Sequence, residues 1–455
     1  MNKQAGTQQL SPLQSSHSLP QPSTKRPNGS ANKLSLEDRH FHNWYRFVLS
    51  FPPHLVRSYI GDFGIQQGSV LLDPFCGCGT TLIEGKLLRL KTVGVEANPF
   101  AEFASKIKVD WNIDPDSLLE DATAISQNAL RTLKRHGLSD EEPQGKPPSG
   151  LTLRTLSPEQ TKLLLSDSIS PIPLHKSLVL LDCIQRNADE RLLNHQLLAF
   201  ANAIVFNVSN LHFGPEVGLG QIKKDVPVVS AWLKAVEQMV EDLRGVKSNK
   251  YPASKTLLAD ARNLSDCLSE NSVDAVITSP PYPNEKDYTR TTRLESVLLG
   301  FIQNKAGLRS LKGTLIRSNT RNVYKGDDDD KWIAEHKEIH RIAQAIETRR
   351  IELNKDSGFE KLYGRVTKLY FGGMARHLAD LRTILKPGAK LAYVVGDQAS
   401  YLRIMIRTGQ LLADIGQALG YEVLRIDLFR TRFASATKEQ LREEVVVLRW
   451  PERKA

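Results

Sequence analysis

Ser69 to Phe100 reads SVLLDPFCGCGTTLIEGKLLRLKTVGVEANPF. The apolar run "VLLD" ends at Pro74, as a short buried strand does, because proline cannot donate to a sheet ladder. "GTTLIEGKLLRL" then carries Leu82, Ile83, Leu87, Leu88 and Leu90 near helical spacing, and "TVGVEA" is again strand-like. Gly77 and Gly79 supply a tight turn after the first strand, and Glu96 is an acid at the end of the second, seventeen residues after Gly79. Strand, Gly-x-Gly turn, helix, strand, acid is the opening unit of an α/β nucleotide-type pocket. The turn lets backbone approach a ligand, and the acid accepts ribose hydroxyls. A nicotinamide fingerprint is incomplete, since Thr80 and Thr81 follow where its spacing continues towards a third glycine. A phosphate-binding P-loop is excluded: Gly79 and Gly85 are one residue too far apart, and Lys86 precedes Leu87 rather than Ser or Thr.

Outward from this unit, "AEFASKIKV" is a second helix, and after Trp111 the strand rhythm stops. Helical pattern dominates to about Asn249, as in "LLNHQLLAFANAIVFNVSN" and "VVSAWLKAVEQMVEDL", broken by the Pro-Gly-rich "EEPQGKPPSG". Strands return with "KTLLAD" (255–260), "VDAVITSPPY" (273–282) and "KLAYVVGD" (390–397), followed by a helix expected from Tyr401 to Leu419. "YEVLRIDLF" and "EEVVVLRW" close the chain without an intervening helix, so they predict an antiparallel hairpin. Strands alternating with helices predict a mostly parallel α/β sheet. Residues 1–35, rich in Gln, Ser, Pro and Asn, are expected to be a disordered tail without a secretory h-region.

The 455 residues include 40% hydrophobic and 25% charged, and no run of about 18 apolar residues that would cross a bilayer. The expectation is a cytoplasmic protein with no membrane span. Four cysteines occur; Cys76 and Cys78 are too close for an ordinary bridge and lack partners at zinc-ligand spacing, so they are expected to be reduced turn residues and no metal is expected. The net charge of +10 suits a polyanionic partner, and a local excess of +6 lies between Asn284 and Gly326, where nine Lys or Arg face three acids. Within it Arg290, Arg293, Arg317, Arg321 and Lys325 are the candidate nucleic-acid contacts. "DDDD" (327–330) is expected to be a solvated charge run capping a helix from Lys331, and "HKEIH" (336–340) an exposed helix face, because Glu338 is one position away from the zinc-protease pattern. Asp397 suits either a structural role or the site.

"TSPPY" (278–282) directly follows an apolar strand, so a rigid polar-Pro-Pro-aromatic turn projects from a strand's carboxyl end. Two prolines with fixed φ hold the carbonyls in place, and Tyr282 offers a flat ring. The group suits an exocyclic aromatic amine: the Ser279 side chain and the Pro280 carbonyl accept its hydrogens while Tyr282 stacks on the base.

"DPFCGCGTT" followed by "TSPPY" resembles the S-adenosylmethionine-binding and catalytic motifs of amino-methylating DNA methyltransferases, which act on cytosine N4 or adenine N6. The Ser-Pro-Pro-Tyr form is more similar to the cytosine-N4 enzymes. "HNWYRFVLSFPPHLV" (42–56), similar to the segment over the cofactor's methionine end, "ILKPGAKLAYVVGD" (384–397) and the terminal hairpin extend the resemblance to about half the chain. It implies a Rossmann-like methyltransferase fold with a seven-stranded, mostly parallel sheet, an antiparallel C-terminal hairpin and helical insertions. The methyltransferase domain would be assembled from 36–110, 251–283 and 366–455, with a helical insertion at 111–250 and a basic one at 284–365. Asp73, Phe75, Gly77 and Gly79 would surround S-adenosylmethionine, with Thr80 and Thr81 at the helix start, Glu96 on the ribose and Asp260 on the adenine amino group. Ser279, Pro280, Pro281 and Tyr282 would be catalytic. The implied activity is site-specific methylation of a flipped base in double-stranded DNA, most readily cytosine N4, with room for a cognate restriction endonuclease as partner. Adenine N6, an RNA guanine-N2 enzyme and a non-catalytic DNA-binding regulator are the alternatives.

Overall fold

The computed structural model describes residues 34–47, 50–214, 216–247, 250–284, 286–434 and 439–452, so the expected tail at 1–35 lies almost wholly outside the described residues. Strands Val70–Asp73 (β1) and Lys91–Glu96 (β2) pair in parallel, with Leu71 opposite Thr92. A small antiparallel hairpin, Leu211–Phe213 (β3) and Val217–Leu219 (β4), stands apart from the main sheet. Ser254–Leu258 (β5), Val273–Thr278 (β6) and Leu385–Gly396 (β7) are parallel to the first two, and Glu422–Ala434 (β8) with Glu439–Arg449 (β9) form the hairpin. The sheet order is β5-β2-β1-β6-β7-β9-β8, seven strands with β9 antiparallel to both neighbours. This is the expected mostly parallel sheet.

Alternation along the strands sorts the core into two faces. Leu71, Ala275, Ile277, Ala392 and Val394 turn towards the helix Pro53–Phe63 (α1), which supplies Leu55, Val56, Tyr59 and Ile60. Leu72, Val276, Tyr393 and Val446 turn the other way, against helices Tyr363–Leu381 and Thr408–Ala418. Each buried Val, Leu or Ile among them contributes roughly 1.5–3 kcal/mol of transfer free energy, and the alanines less.

Helices Thr80–Leu87 (α2) and Pro99–Lys108 (α3) flank β2. Gly79 caps α2 at φ 82°, where a Cβ would come within 3.0 Å of Ser105 Cβ on α3, so the turn needs glycine. The region after Trp111 is helical, with Pro115–Arg135, Pro171–Asn187, Leu193–Ala203 and Val229–Val246, and it shares one apolar cluster with Phe41, Trp44, Tyr45 and Phe100. The β3-β4 hairpin inside it was not foreseen.

Two expectations are corrected. The late helix begins at Thr408 rather than Tyr401, because Leu402 and Arg403 take left-handed backbone and Tyr401 buries its ring while donating to Ser318 O. Of "DDDD", Asp329 is buried, not solvated: it accepts from Arg262 Nη1 at 2.5 Å and Arg376 Nη1 at 3.3 Å. The following α-helix starts at Lys337, capped by His336.

Candidate active site

Above the carboxyl ends of the parallel strands lies a cavity of about 280 Å³. Phe75, Gly77 and Thr80 from the first turn, Glu96 from β2, Asp260 after β5 and all of Ser279, Pro280, Pro281 and Tyr282 after β6 line it. The sequence separates these groups by up to about 200 residues. Parallel pairing brings them together, because every parallel strand delivers its carboxyl end to the same edge.

Glu96 is fixed by its own loops: Oε2 accepts from Gly77 N at 2.9 Å and Oε1 from Asn98 N at 2.8 Å. Desolvation outweighs those bonds and pushes its carboxyl up to about 7. Asp260 is gripped by Arg262, whose Nε and Nη2 reach its two oxygens at 3.0 to 2.6 Å, and Arg262 is held in turn by Asp329. Three residues expected beside a cofactor stand behind the wall instead. Asp73 is fully buried; its Oδ1 accepts from Thr278 Oγ1 (2.6 Å) and Phe75 N (3.1 Å), and burial raises its carboxyl to about 6. Thr81 donates to Ile277 O at 3.1 Å, and Gly79 packs on α3. All three shape the loop from beneath. Lys108, drawn down to about 8 by burial, donates to Tyr45 O and Cys78 O, both at 2.8 Å, and so ties the segment before α1 to the glycine turn. Cys76 and Cys78 are buried free thiols.

Ser279 Oγ donates its single proton to Val394 O at 3.2 Å and lies in hydrogen-bond contact with the Tyr282 hydroxyl, which leaves one lone pair for an incoming N–H. Tyr282 N donates to Tyr288 Oη at 3.1 Å, fixing the turn. The Tyr282 ring rests on Gly396, where a Cβ would come within 3.0 Å of Cε2 and 3.3 Å of Glu443 Cγ. Burial first, and then the Glu443 carboxylate, keep the phenol protonated far above neutral pH.

Phe47, Ser50 and Phe51, from the 42–56 segment expected over the cofactor, line the cavity just before α1. The sequence did not single out the rest of the far wall, Lys286, Phe429, Arg430, Arg432 and Glu443. Arg430 and Arg432 are two apart in a strand, a spacing that puts both on one face; only tertiary pairing shows which face meets the cavity.

The basic candidates divide. Arg317 is corrected: it is buried, paired with Asp327 through Nε (2.9 Å) and Nη2 (2.7 Å), and it also donates to backbone carbonyls. Arg293 is turned inward too, donating to Thr289 O and Leu163 O. Arg290 is partly exposed, 3.9 Å from Glu216, and borders a smaller cavity with Arg293 and Lys312. Arg321 and Lys325 are exposed. Asp397 is buried and paired with Arg407, a structural role. Among the described residues no cluster of His, Cys, Asp or Glu could hold a metal ion, and no helix is long and apolar enough to cross a membrane.

Comparison with known proteins follows the same lines. The model of the N6_N4_Mtase family, described as DNA methylase, matches residues 14–106. The Type II methyltransferase M.BsoBI of Geobacillus stearothermophilus is 24% identical over 440 residues, 91% of this chain and 85% of that protein. M.AvaI of Nostoc sp., also a Type II methyltransferase, is 22% identical over 428 residues, 88% and 82% of the two chains. The solved structure of TrmN from Thermus thermophilus covers 90% of this chain at 11% identity and TM-score 0.31, with this chain spanning 52% of that one; so distant a likeness carries no argument.

Proposed function

We propose, starting from a chain that belongs with the amino-methylating methyltransferases, that it transfers a methyl group to the exocyclic amine of a flipped base in double-stranded DNA, cytosine N4, using S-adenosylmethionine. The observation that carries this reading is one cavity lined both by the Gly77 turn with Glu96 and by the Ser279–Tyr282 turn. The cofactor fits its half: a carboxylate stands at the end of β2 where ribose hydroxyls would be met, backbone of the glycine turn is exposed to the cavity, and Asp260 lies beyond. Bound there, S-adenosylmethionine supplies a methyl group on a sulfonium centre.

The remaining work falls to the protein. A cytosine amine is a poor nucleophile because its lone pair is delocalised into the ring. Ser279 Oγ, with its proton committed to Val394 O, and the Pro280 carbonyl accept the amine's hydrogens and turn the lone pair towards the methyl carbon. Tyr282 stacks on the base and offsets part of the cost of unstacking it, roughly a few kcal/mol. Alignment provides the rate; neither a covalent enzyme intermediate nor a cysteine nucleophile is needed. Serine in the first position of the motif favours cytosine over adenine, and the same cavity would have to meet an N1–H donor beside a guanine N2.

The test is transfer of labelled methyl to unmethylated duplex DNA and to RNA, followed by digestion to nucleosides and mass spectrometry. N4-methylcytosine from DNA is the expected product. Ser279→Ala and Tyr282→Ala should bind cofactor and lose transfer by about 100-fold or more, the loss of an aligned transition-state contact, while Tyr282→Phe keeps most of it. N6-methyladenine as product would overturn the choice of base, and full activity in Tyr282→Ala would remove the stacking role.

A further inference from the structure

The catalytic half of the cavity carries positive charge that this mechanism leaves unused. Lys286, Arg430 and Arg432 line it together with Glu443. Arg430 is committed to Glu443, Nε to Oε2 at 2.6 Å and Nη2 to Oε1 at 2.9 Å. Arg432 has only a loose contact, Nε to Glu443 Oε1 at 3.7 Å, with 44% of its side chain exposed. Lys286 Nζ has no hydrogen-bond or ion-pair partner among the described residues, and burial, with Arg432 nearby, holds its ammonium below the usual lysine range. Three cations against one carboxylate leave an excess of +2 (3 − 1) on this wall. Glu216 also faces Lys286, but it is exposed, and water screens it.

The position of this charge selects its ligand. Glu443 and the Tyr282 ring share the floor over Gly396, so the cations stand beside the stacking aromatic. In the sheet order they belong to the β6-β7-β9-β8 half, while Glu96 and Asp260 belong to β2 and β5. The group they meet is therefore on the substrate nucleotide. A base ring offers only partial charge to two half-desolvated cations, whereas a phosphodiester brings a full negative charge and several acceptor oxygens. Lysine suits it as a point charge and arginine as a fork.

We propose that Lys286 and Arg432 clamp the backbone phosphate adjoining the flipped nucleotide, with the Arg430–Glu443 pair holding that wall of the hairpin in place. The clamp rests on the DNA reading given above. It engages the phosphate in the flipped geometry, and that differential contact shifts the flipping equilibrium towards the reactive state.

The experiment begins with the site read from the parent's own methylated products. Duplexes carrying a single neutral methylphosphonate at each phosphate flanking the modified base are then compared, for parent, Lys286→Gln/Arg432→Gln and Lys286→Arg/Arg432→Lys, by kcat/KM. At one flanking position the parent should lose roughly 10- to 100-fold, the worth of a charged hydrogen bond. The Gln double variant should lose a similar factor on unmodified DNA and no more than about twofold further on the neutral linkage, since the same contact cannot be lost twice. The conservative double variant should regain sensitivity, with cofactor affinity unchanged throughout. Losses that multiply at every phosphate, or a variant that alters base preference while keeping phosphate sensitivity, would overturn the clamp and leave the function standing. A parent that methylates no DNA would overturn the function and the clamp with it.

Discussion

Glu96 sits at a strand end where two backbone N–H groups favour its charge and burial opposes it, and burial wins, leaving the carboxyl at about 7. The sign of its pH dependence follows. Ribose hydroxyls donate to the carboxylate, so cofactor affinity should rise as pH climbs through 7, roughly tenfold between pH 6 and 8 for a single linked proton. Folding runs the other way: the raised carboxyl binds its proton more tightly when folded, so its stabilising contribution is present below the usual glutamate value and is lost as pH rises through about 7. Calorimetric titration of S-adenosylmethionine against parent and Glu96→Gln checks this, and a pH slope that survives the substitution would assign the proton elsewhere. Glu96 was legible in the sequence as an acid ending a strand. Its unusual proton affinity was not, since desolvation depends on the walls of the cavity.

At the scale of elements, the helix Tyr363–Leu381 and the turn Asp329–Ile333 touch backbone to backbone. A Cβ on Gly372 would lie 2.1 Å from Asp329 O, so the contact exists only because that position has no side chain. Asp329 fixes Arg262, and Arg262 fixes Asp260 on the cavity wall. Gly372→Ala should therefore cost about 1–3 kcal/mol or more by overpacking. It should also raise the KM for cofactor as the Asp260 wall loosens. Thermal unfolding and steady-state kinetics read the two effects, and an unshifted midpoint would show that the two elements separate freely. Four adjacent acids ordinarily indicate solvent; here one is drawn inside because two arginines from distant elements converge on it.

Across the whole molecule, cations that are alike in sequence do different work. Arg317 is 5% exposed in an ion pair with Asp327, whereas Arg321 and Lys325 are at the surface, Arg321 above the ring of Phe359. Arg317→Gln should destabilise the fold by about 1–3 kcal/mol, since it removes a charged pair and leaves the half-buried Asp327 carboxylate with only the Tyr324 N–H. Arg321→Gln with Lys325→Gln should leave stability within about 0.5 kcal/mol. If both residues contact phosphates, that pair of changes lowers the magnitude of the log K against log salt slope on duplex DNA by about 1.8, two contacts at roughly 0.9 each. Unfolding midpoints and salt-dependent binding separate the two sets. A stable Arg317→Gln with a reduced slope would return that residue to the DNA interface.

By itself the sequence determined the sheet and the two turns that matter: local apolar runs with prolines and glycines at their ends specify strand, turn and helix, and the 69–100 and 273–282 stretches carry that information within their own length. The terminal hairpin was equally local. Tertiary structure alone decided the far wall of the cavity, because Arg432 and Glu443 reach Lys286 and Tyr282 only when β9 pairs with β7 and β8. It also decided which basic residues are spent inside. Charge in a sequence is counted without its partner, and whether Arg317 faces water or Asp327 depends on how the chain turns between 317 and 327 and packs there.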